Sequence, residues 1–261
     1  MAISAARRRP TAASRGSAST SWTRCARRCA ERRVSGAPDE SGAFFGRRKG
    51  KALRPGQGDL VATLLPRLRL PADGAIDPAA LFPGPVSGLT LEIGFGGGEH
   101  LAARARENPG RGYIGCEPFI NGMAKMLGAV ERERLSNVRL WDEDAAALLP
   151  RIAPASLDEI YLLYADPWPK RRQRKRRFVS PATVEGFARL LKPGGRFRFA
   201  SDIDDYVGWT LARVLPNPAF RWTAARADDW RLPYPGWPGT RYEAKALREG
   251  RRPSYLTFER V

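Results

Sequence analysis

From Leu89 onward, short runs rich in β-branched and aromatic residues alternate with stretches of helical periodicity, and this alternation restricts the fold more tightly than any other feature. The runs are GLTLEIGF, GYIGCE, NVRLWDED, LDEIYLLYAD and RFRFASD. Helical patterns separate them: about His100 to Glu107, Ile120 to Leu135, a short one through Leu149, Ser180 to Leu191 and Tyr206 to Leu215. Strands joined by helices of this length pair in parallel through right-handed crossovers. AFRWTAA and SYLTFERV read as two further strands with no helix between them, so an antiparallel closing pair is expected. The expected architecture is therefore α/β, a seven-stranded, mostly parallel sheet with helices on both faces and an antiparallel closing strand. Ser180 suits an N-cap with Pro181 at the first helical position, and KPGG suits the helix end.

In such a sheet, ligands bind where loops leave the carboxyl ends of the strands. Those ends carry Glu92, Glu117, Asp144, Asp166 and Asp202, one acid for each of the first five strands. Gly94, Gly96 and Gly98 follow the first strand, and glycine lets a backbone turn sharply and approach a ligand closely. Glu99 stands where the dinucleotide fingerprint places its third glycine. Glu117 is placed to accept from two ribose hydroxyls, and Asp144, followed by Ala145, to accept from an exocyclic adenine amine. The plainer readings are a turn made only for packing and acids that are merely solvated. Acids beside a helix N-terminus would repel a pyrophosphate but suit a nucleoside carrying a cationic sulfonium. The pattern therefore favours S-adenosylmethionine over a nicotinamide dinucleotide.

The fourth strand runs into YADPWPKRRQRKRR, where seven of the eight residues Lys170 to Arg177 are basic. The whole chain carries a formal charge of +18, far more than solubility needs, which points to a polyanionic partner. A GC-rich coding sequence accounts for 38 Arg against 7 Lys but not for the excess of cations over anions. Residues 1–43 are rich in Ala, Arg and Ser without a periodic apolar face and are read as a disordered basic extension. An RNA-binding arm, a targeting segment and a mis-assigned start all fit that extension. FFGRRKG opens the folded part, taken as residues 44–261. Three cysteines, Cys25, Cys29 and Cys116, argue against a disulfide framework and fit a reducing, cytoplasmic setting. His100 is the sole histidine, so neither a zinc site nor a Ser-His-Asp hydrolase is expected, and no metal is assigned. No run approaches the roughly 18 apolar residues that span a bilayer.

Taken together, LEIGFGGGEHL, IGCEPF, DEDA, YADPWPKRRQRKRR, SDIDDY and TRYEAKALREG resemble the successive motifs of bacterial single-subunit tRNA (guanine-N7-)-methyltransferases. The resemblance covers roughly Phe44 to Val261, and its Asp-Pro-Trp-Pro-Lys and Thr-Arg-Tyr-Glu motifs are more specific than the glycine turn. It implies a Rossmann-like class I domain that uses S-adenosylmethionine to methylate N7 of a guanine in the variable loop of tRNA. It also implies that Glu92, Gly94, Gly96, Gly98, Glu117, Asp144 and Asp166 bind the cofactor and that Asp166 is the catalytic or base-positioning acid. Lys170, Asp202, Thr240, Arg241, Tyr242 and Glu243 would then meet the guanosine. Tyr164-Ala165 departs from the apolar residue and Pro that the family more often places before the Asp.

Guanine N7 lies in the deep, narrow groove of A-form RNA, so its target has to sit in a loop or folded junction. On this reading Arg171, Arg172, Arg174, Lys175, Arg176 and Arg177 hold flanking phosphates while the acids specify the base. A monomer or weak homodimer without membrane association is expected. The rival enzyme class methylates an exocyclic base amine, because Asp-Pro-Trp-Pro is superficially similar to the Asp-Pro-Pro-Trp that grips such amines. Outside the methyltransferases, a nonenzymatic RNA-binding protein comes next and a nicotinamide-dependent oxidoreductase last.

Overall fold

The computed structural model describes Gly46 and residues 48–261; the basic extension, with Cys25 and Cys29, lies outside the described residues. The sheet is built from β1 (Leu89–Ile93), β2 (Gly112–Cys116), β3 (Val138–Trp141), β4 (Leu157–Leu163), β5 (Leu191–Ser201), β6 (Phe220–Trp222) and β7 (Ser254–Arg260). Its order is β3-β2-β1-β4-β5-β7-β6. The first five strands pair in parallel, while β7 runs antiparallel to both β5 and β6. The chain moves outward from β1 to β3, then returns to place β4 on the other side of β1. That reversal opens a crevice beyond the carboxyl ends of β1 and β4.

The helices form α1 (Pro55–Thr63), α2 (Leu65–Leu68), α3 (Glu99–Glu107), α4 (Ile120–Glu133), α5 (Ala145–Leu148), α6 (Pro181–Leu190), α7 (Asp204–Val214), α8 (Asp228–Arg231) and α9 (Arg241–Arg248). Strand side chains alternate between the faces. Leu91, Ile114, Ile160, Phe197 and Phe199 meet Leu148, Phe187, Tyr206 and Val214 on one side, beneath α5, α6 and α7. On the other, Tyr113, Val138 and Leu140 meet Leu101, Met123, Met126 and Leu127 of α3 and α4. These side chains are almost entirely removed from water, at roughly 25 cal/mol for each Å² of apolar surface.

Local capping follows the residues. Ser180 Oγ accepts from Thr183 N at 3.2 Å and Pro181 opens α6, as the sequence predicts. α7 begins at Asp204 rather than Tyr206, because Asp204 and Asp205 belong to its first turn, where carboxylates complement the helix dipole. α4 ends before Leu135: Arg134 turns left-handed at φ 53° and Leu135 N bonds back to Val130 O at 3.0 Å. The interval between β6 and β7 departs from expectation, since it contains α8 and α9 rather than no helix. α9 buries only Glu243 and Ala246, while its larger apolar side chains, Tyr242 and Leu247, stay exposed. The antiparallel pairing itself is as expected.

Candidate active site

The glycine turn after β1 carries Gly94, Gly96 and Gly98 at φ 70°, 59° and 81°, conformations that favour glycine. The turn is anchored to the next strand: Gly94 N donates to Cys116 O at 2.8 Å, and Gly96 N donates to Glu117 Oε2 at 2.7 Å. Phe119 N donates to the other oxygen of Glu117 at 2.9 Å. Burial pushes the Glu117 carboxyl above its usual range, while those two backbone bonds pull it down; Asp166 adds to the rise and Arg241 opposes it. Glu117 follows β2 and Asp166 follows β4, so both stand at the carboxyl edge of the sheet, within electrostatic range of one another. The Asp166 carboxyl is also lifted, by partial desolvation, although the residue is exposed.

Gly122, at the start of α4, meets this turn at very close range. A methyl group there would fall 2.1 Å from Gly96 O. We expect Gly122→Ala to cost about 1–3 kcal/mol through overpacking and to weaken cofactor binding by displacing Gly96 from Glu117. Thermal melting and titration calorimetry read both effects; an unchanged melting temperature would show that the backbones separate freely.

The remaining strand-end acids differ in what they already hold. Glu92 is 2% exposed, and its Oε2 lies 2.6 Å from Nδ1 of buried His100. It belongs to β1 itself and faces the helix, with Tyr161 and Trp237 rings packed on the imidazole at 4.7 and 5.1 Å. Asp144 caps α5 by accepting from Ala146 N at 2.9 Å through one oxygen. Asp202 accepts from Arg251 Nε at 2.5 Å, also through one oxygen. Each of these two keeps a second oxygen outside those bonds.

Asp166 sits in a loop of unusual backbone geometry. Tyr164 at φ 51° and Trp168 at φ 41°, neither a glycine, flank it on both sides. Such conformations cost on the order of 1–3 kcal/mol each and persist only where the surroundings impose them. Tyr164 N donates to Ala200 O of β5 at 2.8 Å, fixing the entry, and Arg176 lies over the Trp168 ring at 5.1 Å at the exit.

The basic run is a 3₁₀ turn, Arg171–Arg176, rather than a plain loop. Lys170, Arg171, Arg172 and Lys175 are exposed. Arg174 pairs with Asp205 at 2.8 Å while remaining partly open. Arg177 corrects the expectation for this segment. Its side chain is fully buried, bonded to Pro167 O and paired with Asp205, so it cannot reach a phosphate on the surface.

The late motif is divided in the same way. Tyr242 is 44% exposed, and its ring lies 3.0 Å from where a Gly96 side chain would begin. Arg241 approaches Glu99 at 3.8 Å. Thr240 Oγ1 caps α9 by accepting from Glu243 N at 3.1 Å. Glu243 is buried, with one oxygen accepting from Trp237 Nε1 at 2.7 Å and the other from the Tyr255 hydroxyl. It holds the segment before α9 against β7 rather than facing open space.

Several supporting residues escape sequence reading: His100 for Glu92, Arg251 for Asp202, Asp205 for Arg174 and Arg177, and Gly122 for the turn. Only His100 left a trace, as the sole histidine, eight residues beyond the acid of the first strand. Among the described residues, no group of three or more His, Cys, Asp or Glu could hold a metal, and no helix is long and apolar enough to cross a membrane.

Residues 87–255 match the family model described as a putative methyltransferase. The crystal structure of the 16S rRNA methyltransferase KamB superposes with a TM-score of 0.50 at 18% identity, covering 67% of this chain and 89% of that one, which is a likeness of fold. The tRNA (guanine-N(7)-)-methyltransferase of Azorhizobium caulinodans is 58% identical over 85% of this chain and 97% of its own length. That of Mesorhizobium japonicum is 60% identical over 84% and 94%. Identity of this order, sustained across nearly the whole of both relatives, leaves one assignment: the chain belongs to the tRNA (guanine-N7-)-methyltransferase family.

Proposed function

We propose that residues 44–261 form one S-adenosylmethionine-dependent methyltransferase domain, acting in the cytoplasm on N7 of a guanine in the variable loop of tRNA. Residues 1–43 would be a separate basic extension. The observation that carries this reading is Glu117 bonded to the glycine turn at the sheet edge that also carries Asp166, whose loop runs on into the exposed cations Lys170, Arg171, Arg172 and Lys175. The names of the relatives support the choice of atom and substrate.

The acids fit a cationic cofactor. Desolvation lifts both carboxyls, and a cationic ligand would favour their ionised forms. Glu117, with its two backbone donors, is held rigidly for ribose hydroxyls, and Gly94, Gly96 and Gly98 leave the backbone bare for close approach. The second oxygen of Asp144 would serve the adenine amine. Glu92 would meet the cofactor through its other oxygen, Oε1, since Oε2 is held by His100. When bound, S-adenosylmethionine supplies an electrophilic methyl group on a sulfonium sulfur.

Guanine N7 already carries an in-plane lone pair, so the protein needs alignment more than a strong base, and alignment alone can contribute ~7 kcal/mol or more. Asp166 and the second oxygen of Asp202 are suited to accept from N1–H and N2–H, fixing which edge of the base faces the donor. Their negative charge also stabilises the cation that methylation creates on the base. Tyr242 is the exposed ring nearest the glycine turn and is suited to stack on that base.

This reading predicts a pH dependence. A cationic ligand prefers the ionised acids, and both acids titrate above their usual range. Affinity for S-adenosylmethionine should therefore climb as pH rises through those elevated values, then level off. Titration calorimetry from acid to neutral pH checks it. No binding at all would favour a nonenzymatic RNA-binding protein, and a flat profile would remove Glu117 and Asp166 from the cofactor's surroundings.

A further inference from the structure

We infer that Arg177, the last cation of the basic run, is a positioning residue for Asp166 rather than a contact to RNA; this rests on the role given to Asp166 above. The loop that carries Asp166 is strained at both ends, at Tyr164 and at Trp168, and something must hold it there. Arg177 Nε donates to Pro167 O at 2.7 Å, the carbonyl directly after Asp166. The opposite side of the guanidinium pairs with the Asp205 carboxylate and approaches Asp205 O at 3.4 Å. Its faces lie against Tyr206 and Trp209 of α7, 5.0 and 4.9 Å from the ring centres.

The side chain has no exposed surface. A planar, permanently charged fork is the group able to satisfy a carbonyl and a carboxylate at once while stacking between two rings; a lysine ammonium cannot. Arg177 thus ties the Asp166 loop to the amino end of α7. Asp205 also pairs with Arg174 on the surface, so the segment expected to carry phosphates and the segment carrying the acid share one anchor.

The test compares Arg177→Lys and Arg177→Ala with wild type under saturating S-adenosylmethionine and tRNA. We expect kcat to fall by up to ~100-fold, as for a catalytic group misplaced by about 1 Å, with KM for tRNA and the cofactor dissociation constant within about twofold. Added ethylguanidinium should restore turnover to Arg177→Ala, and its effect on the wild type should be nil. A purely structural role would lower the melting temperature but leave kcat per folded molecule intact. If the alanine variant fails to fold, Arg177→Lys carries the comparison; if that also fails, Asp205→Asn, which removes the partner charge alone, is read for the same loss of kcat. Wild-type kcat in a folded variant, or a raised KM at unchanged kcat, would overturn the inference. Asp166→Asn run alongside separates the two ideas: an inactive Asp166→Asn beside a fully active Arg177→Lys sinks only the inference, whereas a fully active Asp166→Asn sinks the role of Asp166 itself.

Discussion

Asp166→Asn should lower kcat by about 10²–10³-fold, the loss that follows removal of one preorganised electrostatic partner of a reacting group. The same variant should melt no lower than wild type at neutral pH, and slightly higher. The sign follows from burial, which lifts the Asp166 carboxyl. A group whose folded-state pKa is raised adds stability in its protonated form, fully present below the unfolded value and lost as pH rises through the folded one. At neutral pH the ionised acid is therefore a burden on the fold that its function requires, and an amide relieves it. Activity and melting temperature moving in opposite directions would mark Asp166 as a residue kept for chemistry. A parallel fall in both would make it part of the framework.

Neutralising Arg171, Arg172 and Lys175 together should weaken tRNA binding and flatten its salt dependence. These three are exposed, and they extend from the strand end that carries Asp166. Every phosphate that goes unneutralised takes about 0.7–0.9 off the slope of log affinity against log salt, so the triple variant's slope should be shallower by about two units or more. The effect on S-adenosylmethionine affinity should be small. Filter binding or fluorescence anisotropy across a salt series measures the slope directly, and an unchanged slope would move the RNA interface elsewhere. Arg177 is left out of this set because it is buried, and Arg174 because Asp205 already holds it.

The sheet was legible because its strands are apolar, short and regularly separated, and because acids stand just past four of them. Pattern fails where burial is not signalled by apolarity. α9 leaves its larger apolar side chains, Tyr242 and Leu247, exposed and is fixed instead by the Thr240 cap and by Glu243 bonded to Trp237 and Tyr255. The basic run shows the same limit, since seven cations in eight positions look alike and only the three-dimensional path decides that Arg177 turns inward. Its place directly before the apolar pair Phe178-Val179 is the one hint the sequence holds. Glu92 was legible as a strand-end acid, but its engagement with His100 depends on how α3 leaves the glycine turn. Arg251 reaches Asp202 across 49 residues, a pairing that only the docking of β7 against β5 creates.

The most direct test incubates the full chain with labelled S-adenosylmethionine and bulk tRNA from a strain lacking the modification, then identifies the labelled nucleoside by mass spectrometry and maps its position. The expected product is 7-methylguanosine confined to the variable loop. Label on an exocyclic amine such as adenine N6, or tRNA left unlabelled by a chain that binds both reactants, would contradict it.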